Sequence, residues 1–445
     1  MSIDAIFKAY DVRGLAPEEL NADLSRNIGA AFARFVADSE GASEIVLGYD
    51  MRPTGPDFAS AFADGAMSQG VDVIEIGLAS TDMMYFASGS LDVPGAVFTA
   101  SHNPAEYNGI KMCRRGAVPL AGDTGLDAIK EMSRSLLDPV DAPGSVRSEK
   151  MLEGFAEHVL SFIDASTLKP LKVVADTANG MGGLVVPAVF DRLPFDLEIM
   201  YPELDGTFPN HPADPLNEAN LVDLQARVLE VGADIGLAFD GDADRLVLVD
   251  AKAEGVSGSL TTALVAEQVL AKEPGATVLH NLICSKVVPE IIEENGGSAV
   301  RTRVGHSFIK AVMADTGAAF GGEHSGHYYF RDNWRADSGL IAAVVILQAM
   351  CAADKPLHEI VEPLRRYRAS GEINTKVADT AAVIDKVANV YREFEQDRFD
   401  GLTVDCGDWW FNLRPSNTEP LLRLNLEAAD DAAVAERVAE VRSHF

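Results

Sequence analysis

Cysteine is scarce in this chain of 445 residues: there are four, Cys113, Cys284, Cys351 and Cys406, and no two form a CxxC pair. That spacing excludes a structural zinc knuckle and a dithiol redox motif. Free thiols suit a reducing compartment, so a cytoplasmic location is expected. No GxxxxGK[ST] loop, no GxGxxG turn and no HExxH helix occurs, which removes the usual signals for nucleotides, dinucleotides and zinc proteases. Long apolar runs are also missing. The most apolar stretch, GLIAAVVILQAMCAA (339–353), is short for a membrane span and carries Gln348, so a buried helix is expected. The first residues, MSIDAIFKAYDVRG, lack the apolar core of a signal peptide. Positive charge is the remaining deficit: 37 basic against 68 acidic residues give a formal net charge of −31. Such a surface repels nucleic acid and anionic membrane, and neither is expected as a partner. An anionic substrate would require the few cations to be concentrated in one place.

What is present is a globular composition, 47% hydrophobic and 24% charged, in a chain long enough for three or four domains. Strand-like runs at 44–50, 71–77, 172–177, 233–240, 245–250 and 277–281 alternate with helical patterns at 56–69, 123–137, 219–231, 286–295 and 338–353. This alternation implies α/β layers with largely parallel sheets. The Pro- and Asp-rich segment LLDPVDAPGS (136–145) reads as a linker, and a second break falls near 251–259. From about 368 the order changes to strand (373–377), helix (381–395), three strands (402–406, 409–413, 421–427) and a charged helix (430–443), a small α+β domain. A weak repeat runs through the rest. A short strand of small apolar residues enters a polar loop at GAVF–TASHNP, IGLAF–DGDADR and AAF–GGEHSGH. Ligands of α/β domains gather at such strand ends, so three of them can line one cleft.

Four loops carry candidate chemistry. In FDGDADR (239–245), Asp240, Asp242 and Asp244 alternate, with Gly241 allowing the bend that converges them. Three adjacent carboxylates repel unless a hard cation holds them, which points to Mg²⁺ or Ca²⁺. A calcium EF-hand is excluded, because Arg245 and Ala251 stand where that loop needs Gly and Glu. Arg245 instead sets a cation beside the metal, which suits a phosphoryl oxygen. In TASHNPAEYNGIK (99–111), Ser101 precedes His102, Asn103 and Pro104, and Asn108-Gly109 reads as a hairpin turn returning Lys111 to the serine as a cation or proton donor. In GGEHSGHYYF (321–330), Glu323 and Ser325 suit sugar hydroxyls and His327 suits general acid–base work. In RPSNTEPLLRL (414–424), Arg414 offers a fork for phosphate, and Ser416, Asn417 and Thr418 an anion nest. Tyr10 and Arg13 in FKAYDVRG, Lys286 at a helix start, and His306 in RTRVGHSFIK are further candidates.

TASHNP, DGDADR, GEHSGH and RPSNTEP, in this order and spacing, resemble the α-D-phosphohexomutase superfamily, in particular its bacterial phosphomannomutase/phosphoglucomutase branch. The resemblance spans essentially the whole chain. It implies four domains around a central cleft, three α/β and one smaller α+β, here expected at 1–146, 147–251, 252–367 and 368–445. It implies that Ser101 is carried as phosphoserine, with Mg²⁺ between its phosphate and Asp240, Asp242 and Asp244. Lys111, Arg245 and His327 are then the catalytic candidates. Tyr10, Arg13, Lys286, His306, Glu323, Ser325, Arg414, Ser416, Asn417 and Thr418 are the substrate-binding ones. The implied reaction interconverts hexose 6- and 1-phosphates through a hexose 1,6-bisphosphate that turns end for end, in a monomer or weak homo-oligomer. Phosphoglucosamine mutases show RPSGTEP and GEQSGH, so Asn417 and His324 lean toward mannose and glucose. Two rival readings are an Asp240-based metal phosphatase and a noncatalytic phosphosugar binder.

Overall fold

A computed structural model of the chain describes residues 3–415 and 421–445, and all side chains among them except that of His306. Four sheets divide the chain. In the first, the order is Val12–Leu15, Tyr107–Arg114, Gly95–Phe98, Glu44–Tyr49, Asp72–Leu78, Val146–Ser148. Its last four strands are parallel and Tyr107–Arg114 runs against its neighbours. The second sheet places Ile235–Phe239, Lys172–Asp176 and Asp196–Met200 in parallel, with Leu246–Asp250 antiparallel at the side of Ile235–Phe239. The third pairs Ser298–Thr302, Thr277–Asn281 and Phe320–Gly322 in parallel and closes on antiparallel Tyr328–Phe330. The fourth, from Arg368–Lys376 to Glu395–Asp397, is wholly antiparallel.

The parallel strands need continuous apolar runs because helices cover both faces. Ile235–Phe239, IGLAF, is buried at every residue. The sheets are therefore mixed rather than largely parallel, and the departure is systematic. Each of the three α/β sheets ends a buried parallel strand in a polar loop and returns antiparallel: Gly95–Phe98 to Tyr107–Arg114, Ile235–Phe239 to Leu246–Asp250, and Phe320–Gly322 to Tyr328–Phe330. The weak sequence repeat is thus three hairpins whose turns are the polar loops.

Two expected elements take other forms. Asn108-Gly109 is not a turn but lies inside strand Tyr107–Arg114, with the turn spanning 99–106. Glycine is needed at 109 because a Cβ there would meet Val12 O at 2.4 Å and Thr99 O at 2.6 Å. The segment expected as a linker runs into strand Val146–Ser148, which joins the first sheet beside Asp72–Leu78 and crosses the expected boundary at 146. The helix expected over 381–395 stops at Val390.

One continuous core joins the first three domains. Its visible seam is aromatic: Phe86 of the first domain, Phe155, His158 and Phe162 of the second, and Phe330 and Trp334 of the third pack ring to ring. The fourth domain has its own core around Phe411 and Leu424. It meets the third through polar groups: Lys286 with Asp405, Arg301 with Asp397, and the Lys286 N–H donating to Glu427. Helix Gly339–Ala353 is buried as expected, and among the described residues no single helix is long and apolar enough to cross a membrane.

Asp82 ties the first domain to the third. It is fully buried and accepts from Ser80 Oγ at 2.5 Å and from Ser338 Oγ, the N-cap of helix Gly339–Ala353, at 2.7 Å. Burial pushes its carboxyl up to about 7, against the pull of those two hydroxyls. Between the ordinary carboxylate value and that point the folded chain holds a proton that the unfolded chain has released. Stability attributable to Asp82 therefore falls as pH rises through this window and levels off above it. Asp82→Asn, whose amide can serve both hydroxyls, is expected to melt higher than the parent at about pH 8, with the gain shrinking toward about pH 4. Thermal denaturation across that range checks it.

Candidate active site

The aspartate loop is the hub. Asp240, Asp242 and Asp244 follow strand Ile235–Phe239, are buried, and bring one carboxylate oxygen each within 4.8 Å of one another. The bend falls on Ala243, at φ +61°, not on Gly241. Glycine is required at 241 for close approach instead, because a Cβ there would sit 2.5 Å from Ser101 O. The loop is thereby pressed against the serine loop of the first domain. Ser101, itself at φ +50° and buried, donates from Oγ to Asp240 Oδ2 at 2.7 Å. Thr81 Oγ1 donates to Asp242 Oδ2 at 2.5 Å. On the other side the Leu246 N–H donates to Gly326 O, and Arg245 bridges to His327 of the third domain.

Lys111 neutralises part of the cluster. The register Val97↔Lys111 brings it back beside the serine loop, and Nζ donates to Asp242 Oδ2 at 2.7 Å and Asp244 Oδ2 at 2.6 Å. Burial opposes its charge, but the two carboxylates hold its proton well above the usual lysine range. Burial likewise pushes Asp242 up, yet the Lys111 ammonium and the bonds from Lys111 and Thr81 bring it below the usual carboxylate range. Asp240 moves the other way, raised by burial and by its two neighbouring carboxylates. Arg245 Nε stands 3.7 Å from Asp240 Oδ2, and the backbone N–H of Arg245 donates to Asp240 Oδ1 at 3.2 Å. His102 Nδ1 lies 3.2 Å from Ser101 Oγ, and its imidazole is held well below its usual range by the Arg245 charge and by burial.

A divalent cation fits these residues. Among the described residues, Asp242 Oδ1 and Asp244 Oδ1 are buried without a hydrogen-bond partner. Buried carboxylate oxygens left unpaired are costly, and all-oxygen donor sets suit hard ions.

His327 is turned by its surroundings: Nδ1 contacts Asp337 Oδ2 at 2.8 Å and Asp244 Oδ1 at 3.6 Å, leaving Nε2 without a partner among the described residues. Glu323 is more occupied than a free sugar acceptor would be. It is buried, and its oxygens already accept from Tyr329 Oη at 2.6 Å, Asn281 Nδ2 at 3.1 Å and the Gly305 N–H at 3.3 Å. Ser325 is half-buried beside it. His324 Nδ1 lies 3.1 Å from Ser259 Oγ. Arg13 donates to Asn103 Oδ1 at 2.7 Å and pairs with Asp11, so it braces the serine loop. Burial, Asp11 and Glu323 raise the Tyr10 phenol. Lys286 Nζ pairs with Asp405 Oδ1 at 2.8 Å and donates to Gly407 O, so here it joins two domains rather than standing free. Arg414 donates to Glu372 Oε2 at 2.6 Å, so its guanidinium is already paired with a carboxylate. Ser416, Asn417 and Thr418 lie outside the described residues, as does the side chain of His306.

Sequence reasoning missed Arg52, Thr81 and Asp337. Arg52 had a signal, since DMRPTG follows strand Glu44–Tyr49 as the other polar loops follow theirs. Thr81 acts across domains, on Asp242, and Asp337 meets His327 ten positions away within the third domain; neither had a signal.

Four family models for phosphoglucomutase/phosphomannomutase match in order: alpha/beta/alpha domain I at residues 4–136, domain II at 153–255, domain III at 257–367 and the C-terminal domain at 372–444. A protein named "Phosphohexose mutases" from Xanthomonas campestris pv. campestris (strain B100) is 41% identical, over 97% of this chain and 96% of its own length. The phosphomannomutase of Escherichia coli (strain K12) is 39% identical over the same shares. Among solved structures, a phosphoglucomutase/phosphomannomutase family protein from Burkholderia thailandensis superposes with a TM-score of 0.92 at 32% identity, covering 100% of this chain and 97% of the other.

Proposed function

The chain belongs to the phosphoglucomutase/phosphomannomutase family, and we propose on that footing that it interconverts hexose 6-phosphates and hexose 1-phosphates of mannose, glucose or both, with Ser101 as the phosphoryl carrier. The observation that carries this reading is the Ser101 hydroxyl, 2.7 Å from Asp240 Oδ2 inside a buried triad of carboxylates.

In the proposed cycle a substrate hydroxyl oxygen attacks the phosphorus of phosphorylated Ser101. The P–O bond to Ser101 Oγ breaks, and the hydroxyl proton passes to a base, for which His327 Nε2 is the candidate. The product is a hexose 1,6-bisphosphate. After it reorients, Ser101 Oγ attacks the other phosphorus, and the released sugar oxygen takes back a proton. Loose phosphoryl transition states need positioning and charge more than covalent aid. Mg²⁺, held by Asp240, Asp242, Asp244 and the Ser101 phosphate, would supply positive charge at the transferring group. Arg245 and Lys111 add fixed cations at the same place. The raised affinity of Lys111 for its proton favours a charge role for it over proton transfer. Glu323 and Ser325 are proposed for the sugar hydroxyls, and Arg414, Ser416, Asn417 and Thr418 for the distal phosphate. Tyr10, Arg13, Lys286 and His306 are proposed to orient it, with Lys286 first leaving Asp405.

An Asp240 nucleophile is disfavoured, because both of its oxygens are engaged, one by Ser101 and one by the Arg245 N–H. A phosphoglucosamine mutase is disfavoured by Asn417 and His324. A coupled assay with mannose 1-phosphate, glucose 1-phosphate and glucosamine 1-phosphate tests the reading, and turnover of glucosamine 1-phosphate alone would overturn the substrate assignment. Chelation is expected to abolish turnover and Mg²⁺ to restore it. Mg²⁺ is also expected to raise the melting temperature of the parent, an effect that Asp242→Asn should lose.

A further inference from the structure

We infer that Arg52 is a positioning residue for Ser101, a role that rests on the reading of Ser101 as phosphoryl carrier. The serine loop, 99–106, lies between two paired strands with little regular backbone pairing of its own, and its first three residues, Thr99 to Ser101, are buried. Buried carbonyls need donors. Arg52 supplies them from one side chain. Nη2 donates to Ser101 O at 2.9 Å and Asn103 O at 2.7 Å, and Nη1 to Pro104 O at 2.7 Å and Tyr107 O at 2.8 Å. Neither Ser101 O nor Asn103 O accepts a backbone hydrogen bond among the described residues.

Arg52 is itself fixed. It is 1% exposed, its N–H donates to Asp50 Oδ1 at 2.9 Å, and Nε lies 3.3 Å from Asp50 Oδ2. The Phe208 ring of the second domain lies 5.2 Å from the guanidinium. The sequence explains the placement. Asp50–Arg52 follows strand Glu44–Tyr49, the parallel neighbour of Gly95–Phe98, so both strand ends open side by side.

The clamp grips the atom that sets the distance between the two site loops. Ser101 O is held by Arg52 on one side and packs against Gly241 of the aspartate loop on the other. A non-glycine residue at φ +50°, as Ser101 is, persists only where its surroundings over-determine it. The planar fork of arginine reaches four carbonyls together, whereas the single ammonium of lysine has three donors from one point.

Arg52→Lys tests the assignment. Each preparation is titrated for phosphoserine by intact mass after loading with glucose 1,6-bisphosphate, and turnover is expressed per phosphorylated site. The variant is expected to lose about 10²-fold in kcat per site, with KM within about threefold, as displacement of a reacting group by about 1 Å would give. Loading of Ser101 should slow in parallel. A merely structural role would lower the melting temperature and the number of active sites while leaving kcat per site unchanged, and that result overturns the proposal. So does a loss confined to KM. If Arg52→Lys does not fold, Asp50→Asn/Arg52→Gln removes the buried ion pair as a unit, which proteins tolerate better than the loss of one partner. The same kcat loss is expected of it, and parental turnover per site would overturn the assignment. Turnover by a parent protein that never acquires phosphate on Ser101 would instead overturn the carrier reading beneath it.

Discussion

Ser101→Ala is expected to lower mutase turnover by about 10⁵-fold or more, the scale seen when a covalent carrier is removed from a preorganised site. The geometry makes the loss specific. The hydroxyl is a minor structural group, bonded to Asp240 and near His102, and its removal leaves the clamp on the loop carbonyls in place. Folding should be little changed, and binding of glucose 1-phosphate should persist, because no proposed sugar or distal phosphate contact involves this oxygen. Separate measurement of turnover and of ligand binding divides the readings. A phosphatase working through Asp240 would survive the substitution, and a noncatalytic binder would show no turnover before or after it.

Lys111→Met has the next largest expected effect, and it acts on stability and activity together. One ammonium serves Asp242 and Asp244, and the lysine side chain is 10% exposed. Removing the shared cation leaves two buried carboxylates uncompensated. Breaking such a pair from one side typically costs about 3–5 kcal/mol. Turnover is expected to fall by about 10²–10³-fold, as for loss of a preorganised charge at a transferring group. The two effects separate on addition of Mg²⁺. The cation should raise the melting temperature of the variant more than that of the parent, because it replaces missing positive charge, but it should not restore turnover. A variant as active as the parent would remove Lys111 from the site.

The polar loops were legible in the sequence for a physical reason. A buried parallel strand must be apolar, so aspartates, serine or histidines placed immediately after one stand out, as at Phe239–Asp240 and Phe98–Thr99. The reading failed where one residue type serves two purposes. Asn108-Gly109 carries the composition of a turn, but Gly109 is glycine so that strands can approach, and the turn lies upstream. Gly241 was likewise expected to bend the loop, whereas its service is contact with Ser101 O and the bend falls on Ala243. The partners of Glu323, Lys286 and Arg414 were hidden because each is met across the fold. Asn281, Asp405 and Glu372 carry no local signal that they will occupy those side chains. The same holds for Thr81, which reaches Asp242 from 161 positions away.

The most direct measurement is covalent. The purified protein is incubated with hexose 1,6-bisphosphate labelled in its phosphates, digested and mapped by mass. Label on the peptide containing Ser101, discharged by glucose 6-phosphate or mannose 6-phosphate, is the predicted result. Label on Asp240, or continued isomerisation with no label on the protein at any time, would contradict it.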